Sequence, residues 1–117
     1  MRTIPASELI VNGDGTVFHL HMRPDQLAQK VILVGDPGRV PMVSGRFSEI
    51  ECSGGNREFV WATGRYRNDR MTVLSTGIGS DNIDIVMNEL DALVNVDLET
   101  RRPRSDRNSL TIVRLGT

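Results

Sequence analysis

Residues 30–39 read KVILVGDPGR, and they join a short apolar run to a turn rich in glycine and proline. Residues 31–34 are an uninterrupted apolar series, mostly β-branched, which is typical of a strand buried on both faces. The run leads directly into Gly35 and ends at Arg39, where the chain has to turn. A buried strand followed by such a turn predicts an α/β protein with a ligand site beyond the carboxyl end of the strand.

Two further apolar runs end in the same manner. Residues 71–79 read MTVLSTGIG, and residues 110–117 read LTIVRLGT. Glycines at strand ends let backbone N–H groups approach a ligand, and a helix N-terminus after them favours an anion. Arg39 and Arg114 supply the positive charge that a phosphate dianion requires. The three strand ends together predict a site for a phosphate-sized anion.

The surrounding sequence predicts a helix, a hairpin and a loop. Apolar residues recur at helical spacing over residues 83–94, which indicates a helix with one face on a sheet. Residues 60–66 and 71–75 flank a polar turn at residues 67–70 and are typical of a β-hairpin. Residues 95–109 are polar with mixed charges, and we expect a solvated surface loop there.

The first residues form an extension before the buried strand. This N-terminal extension is expected to span residues 1–16, and it includes the turn signal NGDG at residues 12–15. Residues 16–22 are predicted to be extended. On a strand, His19 and His21 would point to opposite faces, which argues against a shared metal ion.

Composition narrows the class of protein. The chain has 117 residues, 38% hydrophobic and 25% charged, with a formal net charge of -1. These values exclude collagen-like, disulfide-scaffold and highly charged disordered proteins, and they give no electrostatic case for nucleic acid. No apolar run approaches the roughly 20 residues of a membrane span. With Cys52 as its single cysteine, the chain is expected to be cytoplasmic.

Each local signal also has an ordinary structural interpretation. The turn at residues 35–38 is a tight connection by composition alone. Gly77 and Gly79 form only part of a dinucleotide fingerprint, because the third glycine is missing. Cys52 has no neighbouring histidine, so a catalytic thiol is not expected. Glu58 and Glu89 are expected to be surface carboxylates.

Six short motifs nevertheless occur together in a fixed order. They are FHL at 18–20, VGDPGRV at 34–40, REF at 57–59, STGIG at 75–79, NEL at 88–90 and RLGT at 114–117. In this order they resemble the nucleoside phosphorylases of the uridine phosphorylase and bacterial purine nucleoside phosphorylase type, and the uridine phosphorylases most. The resemblance implies a mixed twisted β-sheet with flanking helices. Because members of that family are roughly twice this length, it also implies that residues 1–117 are the N-terminal portion of a single domain.

The resemblance assigns most of the candidate site residues to phosphate. The implied phosphate-binding residues are Gly35, Arg39, Arg57, Arg114 and Thr117. Among these, Arg57 corresponds to an arginine that reaches into the phosphate site of the neighbouring subunit.

Two further roles follow from the same resemblance. His19 corresponds to a histidine that reaches across the dimer interface towards the ribose 5′-hydroxyl. Glu58, Ile78 and Asn82 correspond to positions that can hold a monovalent cation, although uridine phosphorylases have a serine where this chain has Asn82. No other cofactor is expected, and inorganic phosphate is a co-substrate.

The implied reaction is phosphorolysis, most specifically of uridine to uracil and ribose 1-phosphate in nucleoside catabolism and salvage. The implied assembly is a homo-oligomer, a hexamer built from dimers. We expect the chain alone to be inactive, because the family's second half supplies the base-recognition segment and the groups that hold the ribose. The alternatives are a purine nucleoside phosphorylase and a non-catalytic remnant that binds phosphate or a nucleotide.

Overall fold

A five-stranded mixed sheet lies at the centre of the structure, a computed structural model that describes residues 12–13, 15–17, 19–77, 80–98, 102–103 and 110–115. Its strand order is β2-β3-β4-β1-β7, and a separate pair, β5-β6, lies outside it. The strands are β1 (Lys30–Val34), β2 (Glu49–Asn56), β3 (Phe59–Tyr66), β4 (Asp69–Ser75), β5 (Val96–Asp97), β6 (Arg102–Pro103) and β7 (Thr111–Arg114). The helices are α1 (Val40–Ser44) and α2 (Ser80–Asn95), with 3-10 turns at Pro24–Gln26 and Pro37–Arg39.

Strand β1 lies inside the sheet, between β4 and β7, and runs parallel to both of these neighbours. Val34 pairs with Ser75 of β4, and Leu33 pairs with Arg114 of β7. On the other side of β4, strands β3 and β2 add antiparallel pairs. The carboxyl ends of β1, β4 and β7 therefore lie along one edge of the sheet, which we call the carboxyl edge.

Both faces of β1 are covered, as the apolar run at residues 31–34 predicts. Val31 and Leu33 join the core cluster on one face, which includes residues of α2, and Val34 joins the cluster on the other. The apolar residues of α2 contribute Val86 and Leu90 to the first cluster. The predicted helix and its packing on the sheet are thus confirmed.

The predicted hairpin is confirmed with a tighter turn. Strands β3 and β4 are joined by Arg67 and Asn68 alone, with φ of 51° and 71°. The sequence did not predict β2, which pairs with β3 through a second two-residue turn, Arg57–Glu58. Its register shifts between Ile50 and Cys52, as in a β-bulge.

The prediction of an extended segment at residues 16–22 is wrong. The His21 N–H donates to the Val17 carbonyl at 3.0 Å, and the Val17 N–H donates to the Met22 carbonyl at 3.1 Å, so the chain folds back on itself. His21 has a φ of 50°, and the Trp61 indole N–H donates to the Leu20 carbonyl at 2.9 Å. The segment curls because this loop buries Val17, Leu20 and Met22 together. The expectation that His19 and His21 point to opposite faces of a strand therefore does not apply, because these residues are not on a strand.

The turn at residues 12–15 is confirmed by the hydrogen bond from the Gly15 N–H to the Asn12 carbonyl at 3.0 Å, with Gly15 at a φ of 86°. Within the predicted polar loop at 95–109, the short antiparallel pair β5-β6 forms instead of unpaired chain. Residues 99–101 and 104–109 lie outside the described residues. Across the described residues, neither helix combines the length and the apolar character needed to cross a bilayer.

Candidate functional site

The carboxyl edge brings the three predicted strand ends together. Beyond the last residues of β1 and β4, the Thr76 N–H donates to the Val34 carbonyl at 2.9 Å and the Gly77 N–H to the Gly35 carbonyl at 2.8 Å. On the other side of β1, the Leu115 N–H donates to the Leu33 carbonyl at 2.9 Å. Parallel pairing thus continues into the glycine turns and holds them side by side.

The turn after β1 is shaped by its own aspartate. The Asp36 carboxylate accepts a hydrogen bond from the Gly38 N–H at 2.8 Å, and the Arg39 N–H donates to the Asp36 carbonyl at 2.9 Å. These bonds form a 3-10 turn that leads directly into α1 at Val40. The local turn interpretation is therefore correct, and the same turn places the exposed Arg39 beside a cleft.

An open cleft of about 630 Å³ lies at this edge. It joins the β1 turn, the β4 turn, the β2–β3 hairpin and the first residues of α2. The described residues that line it are Gly35, Asp36, Pro37, Arg39, Glu58, Gly77 and Asn82. The structure thus gathers two of the predicted phosphate residues and two of the predicted cation residues around one space.

Gly77 is required at the base of this cleft. Its φ is +73°, and a Cβ atom on it would lie 2.8 Å from Glu58 Cγ and 3.0 Å from Asn82 Nδ2. The contact with Glu58 is closer than real Cβ atoms come to other groups, the contact with Asn82 is tight, and the backbone conformation itself favours glycine. Glu58 is half-buried and lines the open cleft beside this glycine.

A buried serine that the sequence analysis did not single out fixes the position of Glu58. Ser75 is fully buried; its hydroxyl donates to the Glu58 carbonyl at 2.6 Å and accepts from the Val60 N–H at 2.8 Å. The hairpin is thereby attached to the end of β4. Only the position of Ser75 as the last residue before the glycine turn could have indicated it.

The other predicted phosphate residues either do not line the cleft among the described residues or lie outside the described residues. Arg57 is exposed on the β2–β3 turn with a φ of 56°, and Arg114 is exposed on the edge strand β7. Neither is among the described residues that line the cleft. Thr117 and Ile78 lie outside the described residues.

His19 is paired with a carboxylate that the sequence analysis placed on the surface. Glu89 of α2 is only 8% exposed, and its Oε2 lies 2.6 Å from His19 Nδ1. The prediction of a surface role for Glu89 is therefore wrong. The imidazole and the Phe59 ring pack edge to face, with their centroids 5.9 Å apart. Sequence order hides this pair because 70 positions separate its members.

Cys52 lies half-buried on β2. Burial raises the pKa of the Cys52 thiol above its usual value. The thiol is therefore protonated at neutral pH and is a poor nucleophile. Within the described part of the chain, no three His, Cys, Asp or Glu side chains converge as metal ligands do.

Comparison with known proteins gives a consistent set of relatives. A family model described as "Phosphorylase superfamily" matches residues 29–117. The chain is 36% identical over 80 residues to a uridine phosphorylase of Thermococcus kodakarensis, covering 68% of this chain and 29% of the relative. It is 30% identical over 101 residues to a DeoD-type purine nucleoside phosphorylase of Roseobacter denitrificans, covering 86% of this chain and 38% of the relative.

Solved structures agree with these relatives. A Trypanosoma brucei nucleoside phosphorylase, described as showing uridine phosphorylase activity, superposes with a TM-score of 0.83 at 42% identity, covering 93% of this chain and 38% of that one. A purine nucleoside phosphorylase of Toxoplasma gondii superposes with a TM-score of 0.68 at 26% identity, covering 90% and 37%. The chain thus spans 29–38% of the length of these proteins. The mixed sheet with flanking helices predicted from the sequence is confirmed.

Proposed function

Because this chain belongs to the phosphorylase superfamily, we propose that it forms the phosphate-binding part of a nucleoside phosphorylase. The reaction is phosphorolysis: phosphate attacks C1′ of a nucleoside, the bond from C1′ to the base breaks, and ribose 1-phosphate and the free base are formed. The observation that carries the proposal is the cleft at the carboxyl edge, where the Gly35 turn, Arg39 and Gly77 meet. Ligands of open α/β sheets bind at such strand ends.

The proposed roles follow from charge and placement. The Arg39 guanidinium binds and orients the phosphate dianion, and the Gly35 turn lets the dianion approach the backbone. Arg114, on strand β7 next to β1, is proposed to bind the phosphate as well, and so is Thr117, which follows it in the sequence. The aligned dianion supplies the nucleophile and stabilises the positive charge that develops on the sugar. No protein side chain needs to act as a covalent nucleophile.

Uridine is the proposed nucleoside. It is supported by the uridine phosphorylase of Thermococcus kodakarensis and by the Trypanosoma brucei structure. Purine nucleosides are the second candidate, favoured by the DeoD-type relatives at 30–36% identity. A chain that forms only the phosphate-binding part is compatible with a pyrimidine or a purine base.

A monovalent cation and an oligomer belong to the same proposal. The Glu58 carboxylate and the Asn82 amide oxygen are ligand types that suit a hard cation, and both residues line the cleft beside Gly77. Arg57 is proposed to serve the phosphate site of a second subunit, which its exposed position on the β2–β3 turn allows. The dimer-based hexamer and the cytoplasmic location also remain proposals.

Titration with inorganic phosphate tests the proposed site. We expect saturable changes in the backbone amide NMR signals of Gly35, Arg39 and Gly77. A hydrogen bond to a charged group contributes about 1.5–3 kcal/mol, so Arg39→Gln should weaken binding about 10- to 100-fold. The matched control is Arg46→Gln, an exposed arginine after α1 that does not line the described cleft. Equal effects of the two variants, or no saturable change in the original chain, would contradict the proposal.

Arg57 is tested against its counterpart on the other hairpin turn. Arg57→Gln is expected to weaken phosphate binding only at protein concentrations at which the chain self-associates, as monitored by sedimentation. Arg67→Gln, a change at an exposed arginine of similar backbone conformation, should leave binding unchanged at every concentration. A concentration-independent loss in Arg57→Gln would place Arg57 in its own chain's site instead.

Activity is tested with uridine and phosphate, following uracil by absorbance and ribose 1-phosphate by ³¹P NMR. We expect the chain alone to release no uracil. A chimera in which residues 19–115 replace the corresponding part of the Thermococcus kodakarensis enzyme should release it, and should lose most of that activity with Arg39→Gln. A folded chimera that is inactive towards uridine but active towards inosine would favour the purine alternative.

A further inference from the structure

The two edges of the five-stranded sheet differ in how they are protected against further pairing. At one edge, β2 carries Glu49 and Glu51, and its register with β3 shifts between Ile50 and Cys52. Charges and bulges are devices that keep edge strands from pairing with other chains. At the other edge, β7 pairs with β1 without a register shift and has one charge, Arg114, in the sequence TIVR. Strand β7 therefore lacks the protection that β2 has.

The backbone of β7 presents hydrogen-bonding groups on its outer side. The Thr111 N–H donates to the Gln29 carbonyl at 2.9 Å, and the Leu115 N–H donates to the Leu33 carbonyl at 2.9 Å, both on the β1 side. Because N–H groups alternate in direction along a strand, those of Ile112 and Arg114 point to the outer side. Among the described residues, no strand pairs with that side.

The side chains of β7 are also poorly covered. Parallel strands of open sheets are normally covered on both faces. Val113, which pairs with Ile32 of β1, is nevertheless 51% exposed, and Leu115 beyond it is 44% exposed. Ile32 packs against the cluster that contains Val40 of α1. Val113 therefore lies on the α1 face of the sheet, where the described residues leave it in contact with solvent.

An apolar hollow lies beside each face of this edge. The one on the α1 face has a volume of about 430 Å³, and the one between α2 and β7 has a volume of about 230 Å³. Successive side chains of a strand point to opposite faces. An apolar strand added to β7 would therefore direct side chains towards both hollows while its backbone pairs with the outer edge. Described residues that line the hollows include Val34, Phe47 and Leu115 in the larger and Met87, Leu90 and Ile112 in the smaller.

We propose that the outer edge of β7 and the two hollows form a docking surface for the complementary part of a nucleoside phosphorylase, and that the chain binds this part when a separate polypeptide supplies it. The Trypanosoma brucei nucleoside phosphorylase covers 93% of this chain, but only 38% of that protein is matched. Most of the relative therefore lies outside the match, and an open backbone edge between apolar hollows suits a polypeptide. The identity of the partner rests on the proposed function, whereas the surface itself does not involve the phosphate cleft.

Complementation between two polypeptides tests the proposal. The probe is the part of the Thermococcus kodakarensis uridine phosphorylase that follows its match to this chain, co-expressed with affinity-tagged residues 1–117. We expect the two polypeptides to co-purify and native mass spectrometry to show them in equal numbers. A soluble probe that does not bind the chain would overturn the proposal. So would a probe that stays insoluble beside the chain, because docking should cover the apolar surface of both.

A matched pair of substitutions locates the surface at β7. Val113→Lys places a charge on the exposed apolar edge and should weaken binding of the probe about tenfold or more, because burial of an unpaired charge is costly. Ile50→Lys is the control, since Ile50 is 54% exposed on β2 at the opposite edge, and it should leave binding unchanged. Equal binding of the probe by the two folded variants would overturn the assignment to β7.

Hydrogen exchange decides the question without any substitution. The amides of Ile112 and Arg114 should exchange about tenfold or more slowly in the complex than in the chain alone, because an added strand would accept their hydrogen bonds. The Thr111 amide, which already donates to Gln29, should change less. Unchanged exchange at Ile112 and Arg114 in the complex would overturn strand pairing at this edge.

Two further outcomes identify the partner and separate this proposal from the proposed function. A homodimer that forms in place of the complex, and that Val113→Lys disrupts, would assign the surface to a second copy of the chain and overturn the proposal. A complex that forms but releases no uracil from uridine and phosphate would support the docking surface and count against the proposed function. Binding of the probe does not require phosphate, so its failure is distinguishable from failure of the phosphate titration.

Discussion

The two hairpin turns of the sheet are alike in local structure and differ in where the sheet places them. Arg57–Glu58 joins β2 to β3, and Arg67–Asn68 joins β3 to β4. Each is a two-residue turn that begins with an exposed arginine at positive φ, 56° and 51°. The first lies at the carboxyl edge beside the cleft, and the second lies at the opposite edge of the sheet.

The difference follows from strand direction. Because β3 is antiparallel to β4, its first residue lies near Ser75 at the end of β4 and its last residue lies near the beginning of β4. The first turn is held by the buried Ser75 hydroxyl, which donates to the Glu58 carbonyl. Near the second turn, Glu51 of β2 instead forms exposed ion pairs with Arg65 of β3 and Arg70 of β4. The position of its turn in the sheet, and not the sequence of the turn, makes Arg57 and not Arg67 a candidate for function.

The largest difference between the turns is expected from glycine substitutions. Gly55 leads into the first turn with a φ of +144°, and a Cβ atom on it would lie 2.3 Å from the Phe59 carbonyl oxygen. Gly55→Ala should therefore lower the free energy of unfolding by about 3 kcal/mol or more, through strain and steric overlap. Asn68→Gly, at a φ of 71° that suits glycine, should change it by less than about 0.5 kcal/mol.

Urea denaturation followed by circular dichroism measures both variants. Equal losses of stability in the two variants would show that the backbone of both turns is equally constrained. Only their positions in the sheet would then distinguish the two turns.

A smaller difference is expected from two serines. Ser75→Ala removes the buried hydroxyl that binds Glu58 and Val60, which leaves the Val60 N–H without that acceptor and should cost about 1–3 kcal/mol. Hydrogen exchange at the Val60 amide should speed up accordingly. Ser48→Ala, where an exposed hydroxyl donates to the Arg65 carbonyl at 3.1 Å, should change stability by less than about 0.5 kcal/mol. Unchanged protection at Val60 would contradict the role of Ser75.

The parallel part of the fold was predictable because its strands are buried on both faces. A short, uninterrupted and mostly β-branched apolar run such as residues 31–34 favours a buried strand over a helix, and its turn locates the carboxyl edge. Strand β2, with the sequence EIECSGGN, alternates polar and apolar residues only over its first four positions and has no apolar run. It is an edge strand whose residues are mostly exposed, so pairing with β3 alone determines it.

The candidate site was predictable only where its residues follow strands. Arg39 and Gly77 come directly after β1 and β4, and strand pairing brings their turns together. The contact between His19 and Glu89 has no such signal, because it joins an irregular loop to the middle of a helix. Glu89 is buried because the loop at residues 16–22 folds over α2, and an extended segment there would have left this carboxylate on the surface.

The smallest difference concerns the ion pairs near the second turn. The hydrogen bond from Arg70 is the main factor that holds the pKa of Glu51 below its usual value of 4.5, with a further contribution from Arg65. A carboxyl whose pKa is lower in the folded state stabilises the fold above its unfolded-state pKa, and this contribution is lost as the pH falls through the folded value. Urea midpoints of the chain and of Glu51→Gln should therefore differ slightly at neutral pH and converge below about pH 4. Because the site is exposed, added salt should also reduce the difference. A gap that persists in acid would show that Glu51 stabilises the second turn by packing instead of charge, and would make the two turns more alike than their contacts indicate.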